Sequence, residues 1–194
     1  MKIIITGANG MLGSSLCKLY NNDHEIYALH RDKTCYVNCL KDYSVDLTNE
    51  DEVGEIIYKI KPDLLIHCAS MTNLEECEKY PDLAMSINTY ATENIARLCS
   101  NRIKLVYIST DQIYGDTEYY TESNRVLKPI NEYGRTKLLG EKKVEKLCSN
   151  HIITRTNIFG WNIKPNKISS AEWIYNSLKN NQEITLFCDY GCLL

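Results

Sequence analysis

The chain has 194 residues, 44% of them apolar and 24% charged, with a formal charge of −3, which is enough for one domain with a substantial core. There is no basic stripe of the kind a general nucleic-acid binder carries, and no apolar run approaches the ~20 residues of a membrane-spanning helix. Met1-Lys2 leads straight into Ile3–Ile5 and a glycine turn, too short for a secretory leader, so a cytoplasmic chain with neither nucleic-acid nor membrane partners is expected.

The first apolar run, 2–6, reads as a buried strand. It feeds Thr6-Gly-Ala-Asn-Gly-Met-Leu-Gly13, a glycine-rich turn that opens a helix over 11–21. Glycines at 7, 10 and 13 suit a tight turn, close approach of backbone to a pyrophosphate, and close helix–sheet contact, with the helix N-terminus facing the anion. The spacing is G-x-x-G-x-x-G. Candidate cofactor contacts here are Gly7, Asn9, Gly10, Met11 and Leu12. A second strand over 25–29 runs into His30-Arg31. An arginine there suits a 2′-phosphate, whereas a carboxylate suits a ribose 2′-hydroxyl. NADP is therefore expected ahead of NAD, with nearby Asp32 keeping NAD open. Asp46-Leu47, before a helix over 50–60, offers a carboxylate and an apolar side chain for an adenosine, or simply a helix-capping region.

The strand expected at 63–68 ends in His67-Cys-Ala-Ser70. That is the carboxyl edge at which ligands bind in parallel sheets. Cys68, Ala69 and Ser70 are small enough to let a cofactor lie against the backbone, and His67 reads as a buried strand residue. A helix over 82–100 follows, with Ala84, Ile87, Ala91, Ile95 and Leu98 at helical spacing. The strand 103–109 then ends in hydroxyls, Ser109 and Thr110, before Asp111. A hydroxyl at that edge can donate to a substrate carbonyl or merely satisfy backbone groups.

The next helix, 131–148, has Asn131 as a plausible N-cap and carries Tyr133 and Lys137. Residues four apart share a helix face, so a phenol and an ammonium point the same way. The ammonium is expected to lower the phenol pKa, toward proton exchange with a sugar oxygen. A strand at 152–156, a helix at 170–180 and a strand at 184–187 complete the pattern. Alternation of this kind predicts an α/β fold, a doubly wound parallel sheet of Rossmann type. No linker or repeat divides it, so 1–194 is taken as one NAD(P)-binding unit. Nine cysteines are scattered, with four-residue spacing at 35/39 and 188/192 but no zinc-type quartet. Reduced thiols and no metal are expected.

Together, Gly7–Gly13, Ser109-Thr-Asp111, Tyr133-x-x-x-Lys137 and Arg155-Thr-Asn-Ile-Phe-Gly160 resemble an extended short-chain dehydrogenase/reductase. The Ser-Thr-Asp triplet and the run Tyr133 to Glu141 are most similar to the dTDP-4-dehydrorhamnose reductase family of sugar-nucleotide reductases. The resemblance covers essentially the whole chain. It implies Tyr133 as proton donor, Lys137 holding the nicotinamide ribose, and Thr110 polarising a 4-keto group while NADPH supplies hydride. It also places Ser109 beside the cofactor, Asp111 and Asn157 toward the sugar nucleotide, and Asn88 in ordering the site. Arg155 is either part of the site or a partner for a carboxylate.

In relatives a substrate-covering part follows the strand matching Ile184–Phe187. Here Phe187-Cys-Asp-Tyr-Gly191 begins that turn and the sequence ends at Leu194. A truncated chain is expected, its C-terminal substrate part largely absent and only partial substrate-binding elements near 155–194. The edge so left would be apolar and prone to association, and a homodimer is a further expectation. The expected activity is NADP-dependent reduction of a nucleotide-linked 4-keto-6-deoxy sugar in deoxysugar (dTDP-rhamnose type) synthesis. The alternatives are a non-catalytic NADP-binding regulatory subunit and a sugar-nucleotide epimerase. Asp111 is followed by Gln112 and not Glu, which counts against a dehydratase.

Overall fold

In a computed structural model, residues 1–100, 102–115, 127–165 and 167–185 are described. Six strands form one parallel sheet: β1 (Lys2–Thr6), β2 (Glu25–His30), β3 (Lys41–Ser44), β4 (Leu64–His67), β5 (Lys104–Ser109) and β6 (His151–Arg155), in the order β3-β2-β1-β4-β5-β6. The order reverses direction between β1 and β4, and ligand crevices in such sheets open at that point.

Side chains of alternate residues along each strand enter two different cores, because strand period is two. Ile4, Leu29, Leu65, Leu105 and Tyr107 pack with α2 (Glu50–Ile60), α5 (Ala91–Cys99) and α6 (Glu132–Leu147), through Val53, Ile57, Ile95 and Val144. Ile3, Ile5, Ile26, Ala28 and Ile66 pack with α1 (Met11–Tyr20) through Cys17. The second core thins toward β5 and β6, where Val106 and Ile108 are only partly covered and Ile152 is 45% exposed.

The helix starts follow local chemistry. Asn49, Asn73 and Asn131 each accept a hydrogen bond from a first-turn backbone N–H, as N-caps do. Ser169 and Glu172 form a reciprocal capping box at α7 (Ser170–Lys179).

The structure departs from the sequence expectations in four places. β3, Lys-Asp-Tyr-Ser, was not expected; it is a short polar edge strand bonded on one side only. The six-residue α3 (Leu74–Lys79) also goes beyond the sequence reading. The helix expected over 82–100 is divided: α4 (Pro81–Met85), a π-turn over Ser86–Tyr90, then α5. No strand forms at Ile184 and Thr185, which are irregular, while 186–194, including the expected aspartate turn, lie outside the described residues. No helix among the described residues is long and apolar enough to cross a membrane.

Candidate functional site

A cleft of about 380 Å³ opens at the carboxyl ends of β1, β2 and β4. Its floor is the glycine turn. Gly7 has φ +62°, and a Cβ there would lie 2.7 Å from the Ala69 backbone nitrogen. Glycine therefore serves both the left-handed turn and the close approach of β1 to the segment after β4. Helix α1 begins just beyond, with no acidic residue in its first turn to compete for an anion.

Most of the expected cofactor residues line this cleft: Gly7, Asn9, Gly10, His30, Arg31, Asp46, Leu47, Cys68, Ala69 and Ser70. Two of these use their side chains locally. The Asn9 amide donates to Asp32 Oδ2 (2.9 Å) and to the Thr34 carbonyl (2.8 Å), and its oxygen accepts from the Tyr36 N–H (2.9 Å). Asn9 thus fastens the loop after β2 to the glycine turn. Asp46 accepts from the Thr48 backbone N–H (2.9 Å) and hydroxyl (2.8 Å), bonds that hold its carboxyl below the usual range. Met11 and Leu12 do not line the cleft; Leu12 turns to an apolar groove between α1 and the sheet with Leu16, Leu64 and Val106.

Lysines 164 and 167, with Asn162, line the same cleft from the segment after β6, and sequence reasoning missed all three. Lys164 Nζ lies 2.6 Å from Asp32 Oδ2. That bond, with the one from Asn9, lowers the Asp32 pKa. The carboxylate that kept NAD open is therefore already paired with a cation, and Arg31, Lys164 and Lys167 share the cleft lining with Asp32, Asp46 and Glu76.

Beside the cleft, four elements bring the catalytic candidates together. Ser70 Oγ donates to Asn88 Oδ1 (2.9 Å), which also accepts from the Met71 N–H (2.8 Å). The Asn88 amide donates to the Met71 carbonyl (3.1 Å) and to Thr136 Oγ1 (3.0 Å). Asn88 is 1% exposed and sits in the π-turn, so that turn presents one amide to both the β4 end and α6. Thr110 caps the short turn at Asp111–Ile113, accepting from the Gln112 N–H (3.2 Å) and donating to Asp111 Oδ1 (3.1 Å).

The Tyr133 phenol is hydrogen-bonded with Thr110 and Ser70. Its pKa is raised, not lowered as expected. Burial is the main cause and the Asp111 charge adds to it; the Thr110 and Ser70 bonds pull the other way. The Lys137 ammonium explains the difference by where it goes. It donates to the Ile108 carbonyl at 2.6 Å and lies 4.1 Å above the Tyr107 ring. Burial brings its own pKa down from 10.5 to about 7. Beneath the Tyr107 ring, His67 is buried between Thr6 (2.7 Å) and Thr92 (3.0 Å), and burial together with Lys137 depresses it to about 3. A structural strand residue is what the sequence reading expects of His67.

Gly140 makes room for this stack: a Cβ there would lie 2.5 Å from the Tyr107 hydroxyl. Ser109 Oγ is buried and has no hydrogen-bond partner among the described residues. Arg155 pairs with Glu141, Nη2 to Oε2 at 2.8 Å, and donates to the Tyr114 hydroxyl, so it is the carboxylate-bound arginine of the two roles open to it. Asn157 is exposed on the segment after β6.

Comparison with known proteins bears on this geometry. Residues 1–190 match the RmlD substrate binding domain family. A probable low-salt glycan biosynthesis reductase of Haloferax volcanii is 30% identical over 194 residues, covering 97% of this chain and 64% of that protein. The dTDP-4-dehydrorhamnose reductase of Bacillus anthracis, solved in complex with NADP, superposes with a TM-score of 0.71 at 35% identity over 83% of this chain and 56% of its own. The methionine adenosyltransferase 2 subunit beta of Bos taurus is 33% identical over 146 residues, 74% of this chain and 42% of that protein. The chain thus spans about two-thirds or less of each of these relatives.

Proposed function

Because the chain belongs to the RmlD substrate binding domain family, we propose that it is the nucleotide-binding part of an NADPH-dependent reductase acting on a nucleotide-linked 4-keto-6-deoxy sugar. The supporting observation is the convergence of Ser70 and Thr110 on the Tyr133 phenol beside a glycine-floored cleft that offers Arg31, Lys164 and Lys167. The residues present fit a phosphorylated dinucleotide. The close backbone at Gly7 and the free start of α1 suit a pyrophosphate, and Arg31, Lys164 and Lys167 suit an additional phosphate. In this reading Gly10, Cys68, Ala69, Ser70 and Ser109 line the path of the cofactor, which supplies hydride when bound.

The chain's own residues do the rest. Tyr133, whose raised pKa keeps the phenol protonated near neutral pH, donates the proton to the nascent alkoxide. Thr110 donates to the same oxygen and polarises the ketone. Lys137, whose ammonium is held by the Ile108 carbonyl against the Tyr107 ring, bonds ribose hydroxyls in this reading once the cofactor is seated. Asp111 and Asn157 face the sugar nucleotide. The span 1–194 acts as one nucleotide-binding unit, with partial substrate-binding elements near 155–194. The reading carries a cytoplasmic setting, which suits seven described cysteines outside any disulfide. It also carries a homodimer, through the helices flanking the tyrosine helix α6.

The test is consumption of NADPH with a dTDP-4-keto-6-deoxyhexose. Tyr133→Phe is expected to remove the ~10²–10⁴-fold contribution of a positioned acid while leaving NADPH affinity nearly unchanged. An unchanged turnover rate overturns the acid assignment. The similarity to a subunit of methionine adenosyltransferase 2 favours a second reading, a cofactor-binding regulatory subunit. Tight NADPH binding with no turnover at any pH selects that one.

A further inference from the structure

The sequence reading expects no metal, yet the fold gathers a set of soft and nitrogen donors at the sheet edge. His30 ends β2, Asp42 lies on β3, and Cys35 and Cys39 come from the loop between them. Donor atoms of His30, Cys35 and Asp42 all lie within 4.8 Å of one another. The Cys39 thiol hydrogen-bonds with that of Cys35 and lies in the field of Asp42. We propose that His30, Cys35, Cys39 and Asp42 form a binding site for a zinc-class divalent metal.

The histidine carries the argument. Its ring is almost wholly buried, and Nδ1 lies 2.9 Å from the Asp32 carbonyl, which can only accept. Nδ1 must therefore be the protonated nitrogen. Nε2 then presents a lone pair to Asp42 Oδ2 at 3.1 Å, and a carboxylate oxygen also only accepts. Two acceptors this close need a cation between them. A backbone carbonyl fixing one ring nitrogen so that the other can ligate is the usual outer support of a metal-bound imidazole.

A proton in the gap between imidazole and carboxylate is the competing arrangement, in which Cys35 and Cys39 serve only as small apolar side chains against the α1 core; metal titration separates the two. A thiophilic metal uses all four groups. Tetrahedral zinc with bonds of about 2.0–2.3 Å sets its ligand atoms roughly 3.3–3.8 Å apart. The donor atoms of His30, Cys35 and Asp42, all within 4.8 Å of one another, approach that spacing, and Cys39, bonded to Cys35, would move in to complete the set. Binding would release the two thiol protons to solvent and leave two thiolates, one carboxylate and one neutral imidazole on the metal.

The site also has a structural setting. The same loop is fastened at its other side by Asn9, through Thr34 and Tyr36. A metal at Cys35 and Cys39 would tie the loop to β2 and β3 as Asn9 ties it to the glycine turn.

The experiment is titration of the reduced full chain with Co²⁺, followed by Zn²⁺ competition against a chromophoric chelator. One metal per chain is expected, with thiolate-to-cobalt charge-transfer bands and an intense tetrahedral visible envelope. Cys35→Ser and Cys39→Ser should each lose the charge-transfer intensity and weaken Zn²⁺ binding by more than the ~10–100-fold seen when only an outer-shell partner is lost. Asp42→Asn, at a half-exposed side chain, should weaken binding with the thiolate bands retained. A control, Cys188→Ser with Cys192→Ser, should leave spectrum and affinity unchanged. The proposal fails if binding appears only at millimolar metal, if Asp42→Asn and Cys35→Ser bind as the unaltered chain does, or if the control abolishes the signal.

Discussion

Replacing Glu141 by glutamine tests whether one buried ion pair holds the β6 edge of the sheet beside the candidate site. Glu141 is 1% exposed, and Arg155 grips it with Nε at 3.1 Å and Nη2 at 2.8 Å. The remaining guanidinium nitrogen, Nη1, donates to the Tyr114 hydroxyl at 3.1 Å. Glu141→Gln keeps the shape but leaves the guanidinium facing a neutral amide. Breaking a fully buried pair costs about 3–5 kcal/mol. The Arg155 side chain keeps 27% of its surface, so water recovers part of that loss and about 2–4 kcal/mol remains. For a chain of this size each kcal/mol moves the melting temperature by about 2–4 °C, giving a fall of roughly 5–15 °C.

The control is Lys143→Ala, which breaks the Lys143–Glu93 pair (2.8 Å) between side chains 36% and 21% exposed. Such a pair contributes less than about 1 kcal/mol. Calorimetric melting of both variants beside the parent decides the matter. Equal shifts, or a Glu141→Gln shift within about 2 °C, would refute the reasoning, because burial would then not distinguish the two pairs.

Two further outcomes follow from the same structure. Gly7→Ala places a Cβ against the Ala69 backbone at φ +62°; it should cost about 1–3 kcal/mol in urea unfolding and abolish dinucleotide binding measured by fluorescence quenching. Lys137 has a folded pKa near 7 against an ordinary 10.5, so between those values the unfolded chain binds the extra proton and stability rises with pH. Between pH 7 and 8.5, below the ordinary cysteine value of 9.0, the parent should gain up to about 1.4 kcal/mol per pH unit relative to Lys137→Met. Parallel stability profiles for the two proteins would show that the ammonium is not desolvated.

The sheet was legible because its central strands are continuous apolar runs, the pattern that burial on both faces imposes. β3 escaped because an edge strand with a half-exposed face needs no such run: Lys41, Asp42 and Ser44 are all exposed. The π-turn escaped because the apolar spacing of 82–100 continues through it. What betrays it is Asn88, a buried amide that must satisfy Ser70, Met71 and Thr136 at once. Lys164 and the metal-like cluster escaped for a related reason. Their partners, Asp32 and His30, are distant in sequence or lie across a loop, and charge or thiol content alone does not set where a loop folds.

The difference at Tyr133 shows which inference helical spacing licenses and which it does not. Four-residue separation fixes the bases of the two side chains on one face, but a lysine stem is long enough to place its charge well away from a neighbour's ring. Here the carbonyl of Ile108 and the face of Tyr107 offer the ammonium a partner inside the core, and Gly140 leaves space for that ring. The phenol consequently meets Thr110 and Ser70 without a cation beside it, and burial keeps it protonated. A protonated phenol is the form a reductase needs in its proton donor. Tyr133 would therefore meet the proposed donor role through desolvation, where the sequence pointed to the same residue through charge.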